Sequence, residues 1–331
     1  MLLSKKQVVD ALFRSREQLL LLSLTLLLVG CGSRSQHVRA VPPPPPEPRI
    51  ESPAPLDPGG PAPEIPAESA SLNLPIRTEP AEVAPAPDPL RVIPPAPDDP
   101  LKLFRKHVFK SVGGQKLPYR LLKPWNFESD KDYPLIVFLH GSRARGSDNV
   151  RHLNGSSGPG ISLWTSNEVQ RDYPAFVLAP HSRTTWVRTW ALVDRPANRQ
   201  EPLELVIALI ENLKQHHNID PRRIYVSGVS MGGFGVWSAI TRHPTFFAGA
   251  VPVCGGGNPK MVGPNPTPVW AFHGSKDTTV SPRRSREMVA ALRRVGASVK
   301  YTEYKGVRHD SWRHAFKEPE LVHWLFSQKL W

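Results

Sequence analysis

The sequence predicts an α/β layer sandwich: a mainly parallel, doubly wound sheet with helices on its faces, spanning residues 101–331. Three observations lead there. From Leu101 onward, short apolar runs alternate with segments of helical periodicity, the signature of strand–helix–strand units. Several runs are apolar throughout, as strands covered on both faces must be. Residues 41–100, in contrast, cannot join the core, because they hold 21 of the chain's 38 prolines with few aromatic side chains.

The N-terminal segment carries Lys5, Lys6, Arg14 and Arg16, then the apolar run Leu19 to Val29, then Gly30-Cys31-Gly32. A run of this length suits the core of a signal peptide and falls short of the roughly 20 residues a membrane-spanning helix needs. Leu28-Val29-Gly30-Cys31 resembles a bacterial lipobox, which implies cleavage after residue 30, acylation of Cys31 and attachment to a membrane of the bacterial envelope; an ordinary signal peptide is the alternative. Gly32 in place of an aspartate after Cys31 points to the outer membrane. Residues 31–100 then read as an extended polyproline-rich tether, beginning with Pro42 to Pro46. At ~3.1 Å per residue the sixty proline-rich residues reach at most about 190 Å. A proline-rich ligand for a partner domain is the competing reading.

The second cysteine, Cys254, has no intramolecular partner if Cys31 is acylated. It follows the apolar run Ala250 to Val253 and precedes Gly255-Gly256-Gly257, where a buried small hydrophobe is the simpler reading than a reactive thiol. Charge divides along the chain. Residues 1–100 hold 9 basic and 12 acidic groups, so residues 101–331 hold 42 − 9 = 33 basic and 29 − 12 = 17 acidic groups, a balance of +16. Such a domain is drawn to anionic surfaces or substrates, or is simply soluble. No nucleic-acid-binding motif is present, and export argues against a nucleic-acid partner.

Candidate strands in the folded part are Lys106–Val112, Leu117–Leu122, Leu135–Leu139, Ala175–Ala179, Arg223–Ser227, Gly249–Val253, Val269–His273 and Val299–Tyr304. Candidate helices are Leu203–His217, Met231–His243, Pro282–Val295 and Pro319–Lys329. The first puts Leu205, Leu209, Ile210 and Leu213 on one face, with Pro202 in its first turn. No internal repeat is visible, and no insertion is long enough for a separate lid domain.

The chemistry centres on Gly228-Val229-Ser230-Met231-Gly232, between the strand pattern Arg223–Ser227 and the helical run that starts at Met231. A strand–sharp turn–helix with serine at the apex is a nucleophile elbow: small neighbours let strand and helix pass closely, and the new helix aims free N–H groups at the serine. The pattern alone is weak, since chance produces G-x-S-x-G roughly one time in ten in a chain this long. A serine hydroxyl also needs a base, and the base an orienting group. In a doubly wound sheet both belong on loops after later strands. Gly274-Ser275-Lys276-Asp277 follows one such strand, and Lys305-Gly306-Val307-Arg308-His309 follows the next. The spacings, 47 residues from Ser230 to Asp277 and 32 from Asp277 to His309, each leave room for a helix and a strand. Asp310 is the alternative acid, but it adjoins His309 in sequence and is poorly placed to orient that ring. His140 and His273, each before a glycine at a strand end, read as structural. Two backbone N–H groups are needed for an oxyanion: Met231 after the nucleophile, and Ser142 after the strand ending Leu139-His140-Gly141, with Arg143 one residue away. Trp186 and Trp190 are candidates for a substrate pocket or for core packing.

Taken together, Tyr133–Gly141, Asn218–Val226, Ser230–Gly233, Val251–Gly257, Pro268–Gly274 and His309–Trp312 resemble, in collinear order, the α/β-hydrolase branch of predicted peptidases, phospholipase/carboxylesterases and polyhydroxybutyrate-depolymerase-like esterases. The resemblance covers residues 105–330. It implies the α/β-hydrolase fold, Ser230 as nucleophile, Asp277 as acid and His309 as base, in the Ser…Asp…His order of that fold. Two departures concern the substrate: Arg143-Ala144-Arg145-Gly146 lacks a glutamate that is frequent there, and Ser238 stands where an aspartate is common. The expectation is a serine hydrolase acting on carboxylic esters of a small molecule or polymer through an acyl-enzyme, with no metal or cofactor. A peptidase on the same triad, and a non-catalytic envelope-binding protein on a hydrolase scaffold, are the alternatives.

Overall fold

In a computed structural model, residues 100–186, 201–265 and 267–331 are described. The expected lipidation site Cys31, the tether and Trp190 lie outside these residues.

Eight strands form one sheet: β1 (Arg105–Lys110), β2 (Lys116–Leu122), β3 (Tyr133–Leu139), β4 (Phe176–Pro180), β5 (Ile219–Val229), β6 (Gly249–Val253), β7 (Val269–Gly274) and β8 (Val299–Tyr304). Their spatial order is β1-β2-β4-β3-β5-β6-β7-β8. The first two pairings, β1 with β2 and β2 with β4, are antiparallel, and every pairing from β4 onward is parallel. The helices are α1 (Gly158–Trp164), α2 (Asn167–Asp172), α3 (Pro202–His216), α4 (Met231–Arg242), α5 (Arg283–Arg294), α6 (Trp312–Ala315) and α7 (Leu321–Phe326).

The all-apolar strands are apolar because both faces are covered. In β3, Leu135, Val137 and Leu139 enter one core while Ile136 and Phe138 enter the other. The first core takes Leu205, Leu209, Ile210 and Leu213 from α3, Val236, Trp237 and Ile240 from α4, and Met288, Val289 and Leu292 from α5. The second takes Ile161 and Trp164 from α1, Val169 from α2 and Leu321 and Leu325 from α7. Burial of each such leucine or isoleucine contributes about 1.5–3 kcal/mol.

All eight expected strands are present. β5 starts earlier than its apolar pattern indicated: Ile219 pairs with Tyr133 and Ile224 with Leu135, so residues 220–223 bulge out of register. Pro221 cannot donate to a ladder, and Asp220 closes the bulge by accepting from the Arg222 N–H at 2.8 Å and the Arg223 Nε at 2.6 Å. The expected terminal helix Pro319–Lys329 is shorter, with only Leu321–Phe326 helical. Helices α1, α2 and α6 had no helical pattern to announce them; α1 opens on Gly158-Pro159-Gly160, a composition that reads as loop. The chain leaves β3 for β4 on one side and returns to β5 on the other. This is a topological switch point, where the crevice at the strands' carboxyl ends receives a ligand.

Candidate active site

Ser230 stands at that crevice, between the end of β5 and the start of α4. Its backbone is held at φ 54°, ψ −115°, a left-handed conformation costly for any residue with a Cβ. The surroundings enforce it. The Ser230 N–H donates to Val253 O at 2.9 Å, and Ser230 O accepts the Phe234 N–H at 3.0 Å to open the helix. Gly232 is obligatory here, because a Cβ at that position would lie 1.9 Å from Leu139 O.

The structure brings Ser230, His309 and Asp277 together. Ser230 Oγ lies 2.9 Å from His309 Nε2, and His309 Nδ1 lies 2.7 Å from Asp277 Oδ2. Since Asp277 can only accept, Nδ1 carries the imidazole proton and Nε2 presents its lone pair to the serine hydroxyl. Asp277 is buried, and its other oxygen accepts the N–H groups of Thr279 at 2.8 Å and Val280 at 2.9 Å. A second histidine also reaches this carboxylate: His273 Nε2 is 3.1 Å from Oδ2 and 2.9 Å from Val280 O. Facing two acceptors, that nitrogen bears the proton. Burial holds the His273 pKa below the ordinary histidine value. His273 Nδ1 in turn meets Ser285 Oγ at 2.8 Å. Asp310, the alternative acid, is exposed and lies 3.5 Å from Arg313 instead.

The loops bearing Asp277 and His309 are joined through their backbones. Lys276 N donates to Val307 O at 2.9 Å and Ser275 N to Tyr304 O at 3.0 Å. Gly274 lets them approach, since a Cβ there would meet Arg308 O at 2.2 Å.

The two expected oxyanion donors are first-turn amides, which have no acceptor within their own helices. Met231 opens α4, and Ser142 opens the 3₁₀ turn Ser142–Ala144. Behind that turn lies a set of buried histidines. His140 donates from Nδ1 to Gly141 O at 2.8 Å, while its Nε2 accepts the Ser182 N–H at 3.1 Å. His181 donates from Nε2 to Ala144 O at 2.9 Å, while its Nδ1 accepts the Asn149 N–H at 3.0 Å. His152 stacks on His181 with ring centroids 4.2 Å apart and bonds Ala179 O at 3.0 Å. Burial lowers the pKa of all three, to about 4 for His140 and about 2 for His152, so they are neutral at physiological pH. The bonds in which His140 Nε2 and His181 Nδ1 accept backbone N–H groups also require a neutral ring.

Trp186 belongs to this scaffold. It is fully buried and donates from its indole N–H to His140 O at 2.9 Å, so it supports the chain leading into the Ser142–Ala144 turn from behind and does not line the cavity in front of Ser230. A pocket needs a rim residue, and this one sits inside the first core. The cavity in front of Ser230, about 670 Å³, is lined instead by Ser142, Arg143, Ser156, Thr278, Thr279, Arg308, His309, Asp310, Trp312 and Arg313, among others. Several of these adjoin sequence-readable positions; Ser156 had no motif to reveal it. Cys254 is buried with its thiol pKa pushed up by desolvation, the behaviour of a small core residue.

Comparison with known proteins agrees with the architecture. The prolyl oligopeptidase family matches residues 164–263. A crystal structure described as a thermostable esterase superposes with a TM-score of 0.63 and 37% identity, covering 69% of this chain and 64% of that one. Poly(3-hydroxyalkanoate) depolymerase C from Paucimonas lemoignei is 29% identical over 131 residues, 30% of this chain and 29% of the depolymerase. The bifunctional acetylxylan esterase/xylanase XynS20E from Neocallimastix patriciarum is 27% identical over 152 residues, 45% of this chain and 20% of that protein. The chain thus spans less than a third of the curated relatives it matches. In sheet order, elbow and sequence similarity, it is an α/β-hydrolase-fold protein resembling the esterases and prolyl oligopeptidases of that fold.

Proposed function

We propose that this chain is a serine hydrolase that cleaves carboxylic esters through an acyl-enzyme. The observation that carries the reading is the continuous relay Ser230 Oγ–His309 Nε2, 2.9 Å, and His309 Nδ1–Asp277 Oδ2, 2.7 Å, at the floor of an open cavity. Ser230 Oγ attacks the ester carbonyl and passes its proton to His309 Nε2. The imidazolium so formed is stabilised by Asp277, which keeps Nδ1–H in place and remains ionised. The carbonyl oxygen becomes an oxyanion that accepts the N–H groups of Met231 and Ser142, each such donor being worth roughly 10²–10³-fold in rate. Collapse breaks the carbon–oxygen bond, His309 returns its proton to the departing alcohol, and the acyl group remains on Ser230. Water, activated by the same base, then releases the acid. The similarity to esterases favours esters. The prolyl oligopeptidase match keeps amide cleavage as a second reading, because the same relay serves both bonds.

Replacing Ser230 by alanine is expected to lower kcat on p-nitrophenyl acetate at least about 10⁴-fold with the fold intact. Unchanged turnover in that variant, with circular dichroism unaltered, would remove the assignment. We also propose that the protein is held at the bacterial envelope by lipid on Cys31, with the proline-rich segment as tether. The basis is the lipobox-like Leu28-Val29-Gly30-Cys31. Cys31→Ser should then move the protein from the membrane fraction to the soluble fraction, and an unchanged distribution would refute anchoring.

A further inference from the structure

The cavity in front of Ser230 is unevenly charged. Arg143, Arg308 and Arg313 stand in its wall against one carboxylate, Asp310. Asp310 lies 3.5 Å from Arg313. Arg143 and Arg308 have no ion pair among the described residues, and both are exposed. Ser142, Ser156, Thr278 and Thr279 add hydroxyls, and Trp312 supplies one large aromatic face. A wall of this kind offers little to a long alkyl chain and much to an anion, since two unpaired guanidiniums present donor forks suited to carboxylate or phosphate. The +16 balance of residues 101–331 adds a longer-range field of the same sign.

Position narrows the inference. Arg308 and Arg313 flank His309, the group that returns a proton to the leaving oxygen, so the alcohol portion of an ester lies against their segment. Arg143 follows Ser142 at the oxyanion side of the same cavity. Resting on the hydrolase reading above, we infer that the substrates are esters whose alcohol portion carries an anionic group, a carboxylate or a phosphate, bound by Arg308, with the Arg143 charge adding to the attraction from across the cavity.

The test separates recognition from turnover. Calorimetry on Ser230→Ala protein would compare 4-acetoxybenzoate and 4-acetoxyphenyl phosphate with the neutral 4-acetoxybenzamide. The anions should bind about tenfold tighter, in line with one or two charge-assisted hydrogen bonds. The advantage should fall to about twofold when Arg143→Gln and Arg308→Gln are added, survive Arg308→Lys in part, and shrink in high salt. Which anion wins tells carboxylate from phosphate. Equal binding of all three compounds, or an advantage that persists in the double glutamine variant, would overturn the inference. Turnover by the Ser230 protein reads the other question. Cleavage of the amide faster than both anions leaves a hydrolase without this preference. Discrimination in binding with no cleavage of any acetate supports the anion site and removes the hydrolase reading.

Discussion

The two sides of the Ser142–Ala144 turn are built from opposite materials. Behind it, His140, His152 and His181 are buried and neutral, each bonded to the backbone. In front of it, Arg143, Arg308 and Arg313 are exposed and charged, and only Arg313 lies near a carboxylate. Ionisable side chains therefore serve as neutral struts on one side and as free charges on the other. Stability therefore resides behind the turn, and the groups free to meet a ligand stand in front of it. A buried polar group is costly to disturb because its partners are orphaned, whereas an exposed charge contributes little to folding and remains available to a ligand.

The strongest way to break this contrast is His140→Ala. It removes the acceptor for Ser182 N–H and the donor to Gly141 O and leaves a cavity beside Trp186. We expect a loss of about 3–5 kcal/mol by denaturant titration. We also expect kcat to fall toward the ~10²-fold effect of one missing oxyanion donor. Lost stability with kcat unchanged would show that the struts hold the core and not the loop.

Acid should act on the same side. Because the three histidine pKa values are depressed in the folded state, the unfolded chain binds more protons below pH 6.5, and stability must decline as pH falls from about 6.5 toward 4. His140 alone accounts for about 3 kcal/mol of the decline once protonated. Asp148, 3.7 Å from His181 Nδ1, opposes the trend, while Arg120, Arg145 and Arg151 reinforce it. Midpoints from urea unfolding at pH 7.5, 6 and 5 would measure the slope; a flat profile contradicts the neutral-strut account. At the other extreme, Arg313→Gln on the mouth should change stability by less than about 0.5 kcal/mol, and a larger loss would mean that the front wall also supports the fold.

Much of the front was legible in the sequence and little of the back. Ser230, Asp277 and His309 follow apolar strands, and strand ends on a parallel sheet are where convergent side chains collect, so placement, order and spacing, together with the family resemblance, brought them into view. His140 and His273 were recognisable as structural because each precedes a glycine at a strand end. His152 and His181 carried no such sign: they meet only because the 3₁₀ turn Arg151–Leu153 and the end of β4 come together beside the Ser142–Ala144 turn, a long-range contact without local pattern. The same blindness applies to Trp186, whose side could not be chosen between rim and core from its neighbours. Helix α1 stayed hidden because Gly158 and Gly160 are poor helix formers; Gly160 sits where Phe138 leaves room for no side chain, a Cβ there falling 2.3 Å from its ring.

The close approach at Gly274 separates two properties that active sites usually bind together. Arg308 presses its carbonyl against that glycine while the same residue lines the cavity. The main chain at this position thus locates the neighbouring His309, and the exposed side chain is left to meet whatever enters. If the anion site proposed above holds, exchanging Arg308 for another residue alters who is admitted without asking His309 to move. A lineage could in this way change its diet one codon at a time while its machinery stayed still.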